Sequence, residues 1–197
     1  MRGVPKKLPE RLKAIADAHP GQTVVPYFED ECRFGQQGTL TKVWAKTGSR
    51  PTAVKQTQYG YVHVLTVASP VTGHSEGLIA PVLDAGVVNA FLEQFSKSLP
   101  AGVHAALIWD GAGYHTARAI RCPANVTLIQ LPPYSPELNP VENLWHYLRS
   151  RHWSNRQYKD VEALYDAAED AWRRCCLDEA TVRSVCGAPY VTSAGIT

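Results

Sequence analysis

The sequence predicts an α/β fold in which a mixed sheet, with three antiparallel strands and then parallel strands, is flanked by helices. Three strand-like runs rich in β-branched and aromatic residues follow one another near the start of the chain, and helix-like and strand-like segments alternate after them. Consecutive strands followed by such alternation are typical of a mixed sheet covered by helices. Ligands of sheets of this kind bind beyond the carboxyl ends of the strands.

The strands are predicted from β-branched runs bounded by turn residues. The first contains Pro26, which indicates an edge position, a bulge or an irregular start because proline has no N–H to donate. The second and third are joined by a turn at residues 69–73. The predicted strands are Thr23–Glu29, Tyr61–Ala68, Gly77–Leu83, Val103–Trp109 and Val126–Leu131.

The helices are predicted from apolar residues at helical spacing. Residues 5–18 carry three such positions, and the helix after the third strand carries five. Further helices are predicted at residues 114–121, from Pro140 to about Arg151, and from about Asp160 as the last element. The apolar positions of the first two helices are Leu8, Leu12 and Ile15, and then Val88, Phe91, Leu92, Phe95 and Leu99.

The length of 197 residues fits one main domain, which we place at residues 23–197 after an N-terminal helical segment at residues 1–22, with an insertion near residues 35–58. No apolar run is long enough to cross a bilayer, and no secretion signal is present. The five cysteines include no Cys-x-x-Cys pair, which argues against a disulfide framework and a structural zinc site and favours buried thiols. We therefore expect a cytoplasmic protein.

The net charge is only +2, but two stretches contain several basic residues and no acidic ones. The first contains Lys42, Lys46 and Arg50, and the second contains Arg149, Arg151 and Arg156. Such stretches are either solvated faces or contacts to a polyanion. The two interpretations have equal support for the first stretch, whereas DNA contact is favoured for the second because it directly follows Glu142.

Three carboxylates stand where separate elements begin or end. Asp30 and Asp110 each follow an apolar strand-like run, and Glu142 begins a helix. Oxygen ligands of this type suit Mg²⁺ or Mn²⁺ rather than zinc. Two such cations can activate water and stabilise a leaving oxygen during phosphodiester cleavage.

Each carboxylate also has a structural interpretation. Asp110 could simply begin a turn. Glu142 could complete a capping box with Asn139, because Pro140 would then occupy the first helical position. At the first site, alternation places Asp30 opposite Glu29 and Glu31, and spacing alone does not decide which face turns toward Asp110.

Four segments carry a resemblance to a known family: Phe28–Phe34, Val43–Pro51, Trp109–His115 and Leu131–Trp145. They resemble the catalytic domain of mariner-type transposases, specifically the bacterial insertion-sequence branch with an Asp-Asp-Glu triad. The resemblance implies a ribonuclease-H-like fold. It also implies that Asp30 and Asp110 share one of two Mg²⁺ or Mn²⁺ ions while Glu142 holds the second. It implies Glu31 as a neighbour of the site. From the residues themselves, His115 could position a phosphate or water, or could equally pack at the start of a helix, and Asn139 is a supporting residue at the start of the helix that carries Glu142.

The function implied by the resemblance is that of a metal-dependent DNA endonuclease and strand transferase. It would act on double-stranded transposon-end and target DNA, near the nucleoid, as a homodimer. The insertion around Trp44 would clasp the second subunit or DNA. The 22 residues before the first strand are too few for the helix-turn-helix region with which this family reads end repeats, so we expect that region to be separate or missing. The alternatives are a catalytically silent DNA-binding or assembly remnant, or a ribonuclease-H-like nuclease acting on another nucleic acid.

Overall fold

A five-stranded mixed sheet forms the centre of the molecule, as seen in a computed structural model that describes residues 4–52, 55–110, 119–132 and 135–192. The strands are β1 (Thr23–Gly35), β2 (Tyr61–Ala68), β3 (Ser75–Ala80), β4 (Val103–Trp109) and β5 (Val126–Gln130). Their order across the sheet is β3-β2-β1-β4-β5. β1, β2 and β3 are antiparallel, whereas β4 and β5 are parallel to β1. The predicted fold class is confirmed.

Six α-helices surround the sheet in the described part of the chain. They are α1 (Val4–Ala18), α2 (Ala85–Ser98), α3 (Val141–Leu148), α4 (Val161–Cys175), α5 (Glu179–Val185) and α6 (Pro189–Thr192). A 3₁₀ turn at Pro136–Leu138 precedes α3, and a π-helical stretch at Arg149–Trp153 extends it. The prediction that the helix near Asp160 is the last one was wrong. α5 and α6 are only seven and four residues long, too short to produce a sustained helical pattern.

The core has two layers, one on each face of the sheet. The apolar positions predicted for α2 pack on one face of the sheet. They are Val88, Phe91, Leu92 and Phe95. Residues of α1, α3, α4 and α5 pack on the other face, and the predicted positions of α1 are among them. Both faces are covered because alternate residues of each strand point to opposite sides. The domain boundary at residue 22 stays a prediction.

β1 is longer than predicted, and its two halves pair with different neighbours. Its parallel ladder with β4 ends at the Phe28–Ile108 pair, and its antiparallel ladder with β2 begins at the Phe28–Ala68 pair. At Pro26 the strand therefore has only β4 beside it, so the missing N–H costs no bond to β2. The prediction that the strand ends before Asp30 was wrong, because pairing with β2 continues to Gly35.

Four smaller points complete the fold. β3 begins and ends earlier than predicted, because its pairs with β2 run from Ser75 to Ala80. All five cysteines are free, and all except Cys122 are buried. Across the ranges described, none of the helices is both long enough and apolar enough to cross a membrane. The segment predicted as a helix at 114–121 lies mostly outside the described residues.

Candidate active site

The three carboxylates predicted as the active site come from three separate elements. Asp30 is half-buried in β1, two residues beyond the last parallel pair with β4. Asp110 is exposed and directly follows the last residue of β4. Glu142 is exposed in the first turn of α3. Asp30 therefore lies beyond the carboxyl end of β4, as Asp110 does, although it is in the middle of its own strand.

Electrostatics place the three carboxylates in one region. The pKa of Asp30 is raised to about 7, first by burial and second by the negative charge of Glu142, with a smaller contribution from Asp110. A nearby like charge raises a carboxyl pKa because it disfavours ionisation. The fold thus brings Asp30 close enough for its charge to interact with those of residues 80 and 112 positions further along the chain.

The carboxylates share this region without forming a tight cluster. Within residues 4–52, 55–110, 119–132 and 135–192, no three His, Cys, Asp or Glu side chains lie close enough together to hold one metal ion. A site for two ions is wider, because ions of such pairs stand about 3.5–4 Å apart. The donor chemistry fits Mg²⁺ or Mn²⁺, since all three side chains offer carboxylate oxygens. A partly buried carboxylate beside like charges also favours a compensating cation.

Trp145 connects two of the three carboxylates. Its indole N–H donates a hydrogen bond to Oδ2 of Asp30 at 2.9 Å, and its side chain is 1% exposed. It follows Glu142 by three residues in α3, and residues at this spacing lie on the same side of a helix. One helix therefore carries Glu142 and also orients Asp30. This bond lowers the pKa of Asp30 against the larger effect of burial.

The sequence interpretation did not include Trp145 among the functional residues. Its spacing from Glu142 was the available signal, because it places both residues on the same side of one helix. The partner of its N–H, however, lies 115 positions away in β1.

Asn139 fastens the start of α3 to β1. It is 5% exposed, and its Nδ2 donates to the carbonyl oxygen of Glu29 at 2.8 Å. Its Oδ1 accepts from the Val141 N–H at 3.2 Å. The capping box is not formed, because the Asn139 N–H donates to the carbonyl of Pro136 instead. Pro140 takes the cap position, one residue later than predicted, and Glu142 is left without that structural role.

A second pair of acidic residues lies on the opposite face of β1. Glu29 is 2% exposed, and burial raises its pKa well above the usual range, with the charge of Glu31 adding to the effect. Burial and then the charge of Asp30 raise the pKa of Glu31 to about 8. The predicted alternation is therefore observed, with Asp30 on the side of α3.

The predicted DNA-binding residues differ in their surroundings. Arg149 is exposed at the start of the π-helical stretch. The guanidinium of Arg151 lies 5.8 Å from the ring centroid of Tyr147. Arg156 is exposed, and its charge adds to burial in lowering the pKa of His152. The predicted residues of the insertion are all exposed, namely Lys42, Lys46 and Arg50. His115 lies outside the described residues.

The insertion is an excursion at residues 36–60 that has no helix or strand in its described part. Its base is fastened by the side-chain amides of Gln36 and Gln56, which both donate to the Tyr158 carbonyl at 2.8 Å. The Asn155 side chain holds Thr41 through three further hydrogen bonds. Trp44, by contrast, is fully exposed. A fixed base therefore presents an exposed indole.

Comparison with known proteins identifies the family. A model of the DDE superfamily endonuclease family matches residues 25–165, which include all three carboxylates. The chain belongs to this family. It is also 37% identical over 114 residues to the uncharacterized protein y4pE/y4sA of Sinorhizobium fredii (strain NBRC 101917 / NGR234), an alignment that covers 58% of this chain and 84% of the relative.

Solved structures support the same fold. The chain is similar to the Mos1 transposase in a paired-end complex with the left transposon end, with a TM-score of 0.65 and 18% identity. It is also similar to the mariner Mos1 paired end complex with Mg, with a TM-score of 0.66 and 16% identity. Each match covers 98% of this chain and 60% of the Mos1 chain. The ribonuclease-H-like fold of this family member is thus established, and the chain spans about three-fifths of the Mos1 length.

Proposed function

We propose that the protein is the catalytic domain of a transposase, which cleaves transposon-end DNA and joins the freed end to target DNA. The observation that carries this proposal is the electrostatic coupling of Asp30, Asp110 and Glu142 at one end of the sheet, within a DDE superfamily endonuclease domain. The Mos1 complexes with a transposon end and with Mg support the same assignment by analogy of fold.

The proposed ligands are Asp30 and Asp110 for one divalent ion and Glu142 for the second. Bound Mg²⁺ or Mn²⁺ would supply Lewis-acid stabilisation of a departing oxygen and would lower the pKa of an attacking hydroxyl group. Asp30 contributes an oriented carboxylate, because the Trp145 indole N–H and the backbone N–H of Glu31 both donate to it. Asn139 fixes where Glu142 stands relative to β1. In the proposed hydrolysis a water oxygen bonds to phosphorus as the bond to the 3′ oxygen breaks. The water gives one proton to solvent, and the leaving 3′ oxygen takes one up to become a 3′-hydroxyl.

The proposed partners are double-stranded DNA and a second copy of the chain. The exposed arginines after Glu142 would contact backbone phosphates, which contributes affinity without sequence selection. The excursion at residues 36–60 would contact the second copy or the DNA through Trp44, because a fully exposed indole on a fastened base is suited to insertion into a partner surface. Glu31 is proposed as a supporting residue of the site.

The decisive experiment compares Asp110→Asn with the wild type on duplex DNA carrying the end repeats of the element, in the presence of Mg²⁺. We expect cleavage to fall by at least about a thousandfold in the variant, since a metal ligand is lost. Asp17→Asn is the matched control, because Asp17 is an exposed aspartate on α1. Cleavage by Asp110→Asn at the wild-type rate would refute the assignment.

A catalytically silent DNA-binding module is the second candidate, and the absence of a tight ligand cluster among the described residues is the observation that favours it. Such a module would bind DNA without any stabilisation by Mg²⁺ or Mn²⁺. A thermal denaturation series with each cation separates the two candidates. A parallel series of duplex, hybrid and branched substrates tests whether the nuclease prefers another nucleic acid.

A further inference from the structure

The segment at residues 186–192, which follows α5, lies beside the start of α3. Within it, Ala188 is 5% exposed and Val191 is 0% exposed. Both belong to the same apolar core cluster as Val141 and Leu144 of α3. The segment lies beyond residue 165, where the family match ends. Its contacts with the site are therefore features of this chain outside the matched residues.

Tyr190 ties this segment to the loop at residues 135–140, which leads into α3. Its hydroxyl donates a hydrogen bond to the carbonyl oxygen of Leu138 at 2.6 Å, a normal length for an O–H···O bond. Leu138 ends the 3₁₀ turn of the loop and stands four residues before Glu142. Burial raises the pKa of Tyr190 to about 12, so the hydroxyl keeps the proton that it donates at neutral pH.

The ring of Tyr190 also contacts β1. It stands edge-on to the ring of Phe28, with centroids 6.5 Å apart and an angle of 84° between the planes. Edge-to-face pairs of this kind are a favourable arrangement of aromatic rings. Phe28 is 1% exposed and precedes Asp30 by two residues on the same face of the strand. One side chain thus touches the strand that carries Asp30 and the loop that leads to Glu142.

The loop faces open space on the side of Tyr190. A recess of about 250 Å³ lies there, and its lining includes Pro140, Glu142 and Tyr190. Because open space does not fix a loop, hydrogen bonds must set its position on this side. The bond from Asn139 to the Glu29 carbonyl attaches the same loop to β1 at 2.8 Å. The bond from Tyr190 is the second attachment, one residue earlier in the chain.

The geometry that this loop has to maintain is strict. Two catalytic cations stand about 3.5–4 Å apart, and their ligands have to be held within about 0.5 Å of the productive positions. Glu142 is exposed in the first turn of α3, so its own side chain is not fixed by packing. Its position therefore depends on where the helix begins.

We propose that Tyr190 is a positioning residue of the active site. Its hydroxyl holds the Leu138 carbonyl and sets the point at which α3 begins, and this point sets the position of Glu142 relative to Asp30. Tyr190 acts through the loop and not on the cations or the DNA. This inference rests on the proposed function and deepens it, because it assigns part of the active-site geometry to a segment outside the family match.

The first test compares Tyr190→Phe with the wild type, using the full chain. The variant keeps the ring against Phe28 and removes only the hydroxyl. The recess has room for a water molecule that can satisfy the Leu138 carbonyl, so the melting temperature should fall by at most about 4 °C. Such a water does not fix the loop to the ring. The amide protons of Asn139 and Glu142, which bond within the loop, should therefore exchange about five- to tenfold faster.

Calorimetric titration with Mn²⁺ gives the readout that a merely structural role would not change. Tyr190→Phe should bind Mn²⁺ about tenfold more weakly, the lower end of what is lost with a side chain that orients a metal ligand. Tyr165→Phe is the matched control and should change neither exchange nor affinity. Tyr165 is also partly buried, lies on α4, and its hydroxyl makes no hydrogen bond with the residues that the structure describes.

Two results of these measurements would overturn the proposal. The first is equal exchange rates and equal Mn²⁺ affinities in Tyr190→Phe and Tyr165→Phe. The second is faster exchange with unchanged Mn²⁺ affinity, since the hydroxyl would then serve only the stability of the loop. A wild type that binds no Mn²⁺ would refute the proposed function and this inference with it. A wild type that binds Mn²⁺ no better than Tyr190→Phe would refute this inference alone.

The second test measures Mg²⁺-dependent cleavage of duplex DNA carrying the end repeats. The kcat of Tyr190→Phe should fall about tenfold while KM for the DNA stays unchanged, because a misplaced Glu142 affects the chemical step and not the contacts that bind the DNA. A raised KM with an unchanged kcat would contradict the inference, since Tyr190 would then act on DNA binding.

Discussion

Replacing Trp145 by Phe should remove the group that orients Asp30 while keeping most of the buried ring. The hydrogen bond lost is 2.9 Å long and ends on a carboxylate, a type that contributes about 1.5–3 kcal/mol. Because Asp30 is only half-buried and partly hydrated, the lower part of that range applies. We expect the free energy of unfolding to fall by about 1.5 kcal/mol through this bond, in addition to the packing lost with the smaller ring.

Trp153→Phe is the matched control for the packing term. Trp153 is also buried, at 3% exposure, and its N–H makes only a 3.4 Å contact with the backbone carbonyl of Ala167. Urea denaturation at pH 8 in EDTA measures the difference in free energy of unfolding between the two variants. Calorimetric titration with Mn²⁺ measures the affinity of each variant for the cation. Trp145→Phe should bind Mn²⁺ at least about threefold more weakly than Trp153→Phe, since Asp30 is no longer oriented and its pKa rises further. Equal losses of stability and equal Mn²⁺ affinities in the two variants would refute the reasoning.

Three further predictions follow from the same contacts. The pKa of Asp30 lies near 7 in the folded state and near 4 in the unfolded state, so the folded state binds more protons between these values. The free energy of unfolding of the metal-free protein should therefore fall as pH rises from 4 to 8. Asp30→Asn should flatten this pH dependence and raise the free energy of unfolding by at most about 4 kcal/mol at pH 8, and a steeper pH dependence in the variant would contradict the reasoning. Asn139→Ala should cost about 2–4 kcal/mol in urea denaturation, because it leaves a buried carbonyl and an N–H without partners, whereas Asn143→Ala, on the exposed side of the same helix, should cost less than about 0.5 kcal/mol. Trp44→Ala should leave the melting temperature unchanged and weaken self-association in sedimentation, and an unaltered dimer with weakened DNA binding would assign the excursion to DNA instead.

Much of the fold could be predicted because its signals are local. The apolar positions of α2 and the β-branched run of β2 can be recognised in sequence segments of 8–14 residues, and both elements form where they were predicted. Element ends were less predictable, because they depend on neighbours. β1 continues past Glu29 only because β2 supplies a partner for its second half.

The candidate site, like the fold, was predictable where its signals are local and not where they depend on distant contacts. Apolar runs and a helix start singled out the three carboxylates in the sequence, and the family match includes all of them, while their role as metal ligands stays a prediction. The expected strand end before Asp30 is not observed, because β1 continues to Gly35. The capping-box alternative for Glu142 was settled only by the hydrogen bond from the Asn139 N–H to Pro136. The basic stretch after Glu142 did not distinguish its arginines, whereas the structure places Arg151 against the Tyr147 ring and leaves Arg149 exposed at the end of α3.

The sequence by itself determined the five strands and the longer helices, and that Asp110 follows a strand and Glu142 begins a helix, because hydrophobic periodicity and turn residues act over short distances. Only the tertiary structure decided how those acids are held. The bonds from Trp145 to Asp30 and from Asn139 to Glu29 join residues more than 100 positions apart, and such contacts arise from packing α3 against β1 rather than from any local pattern.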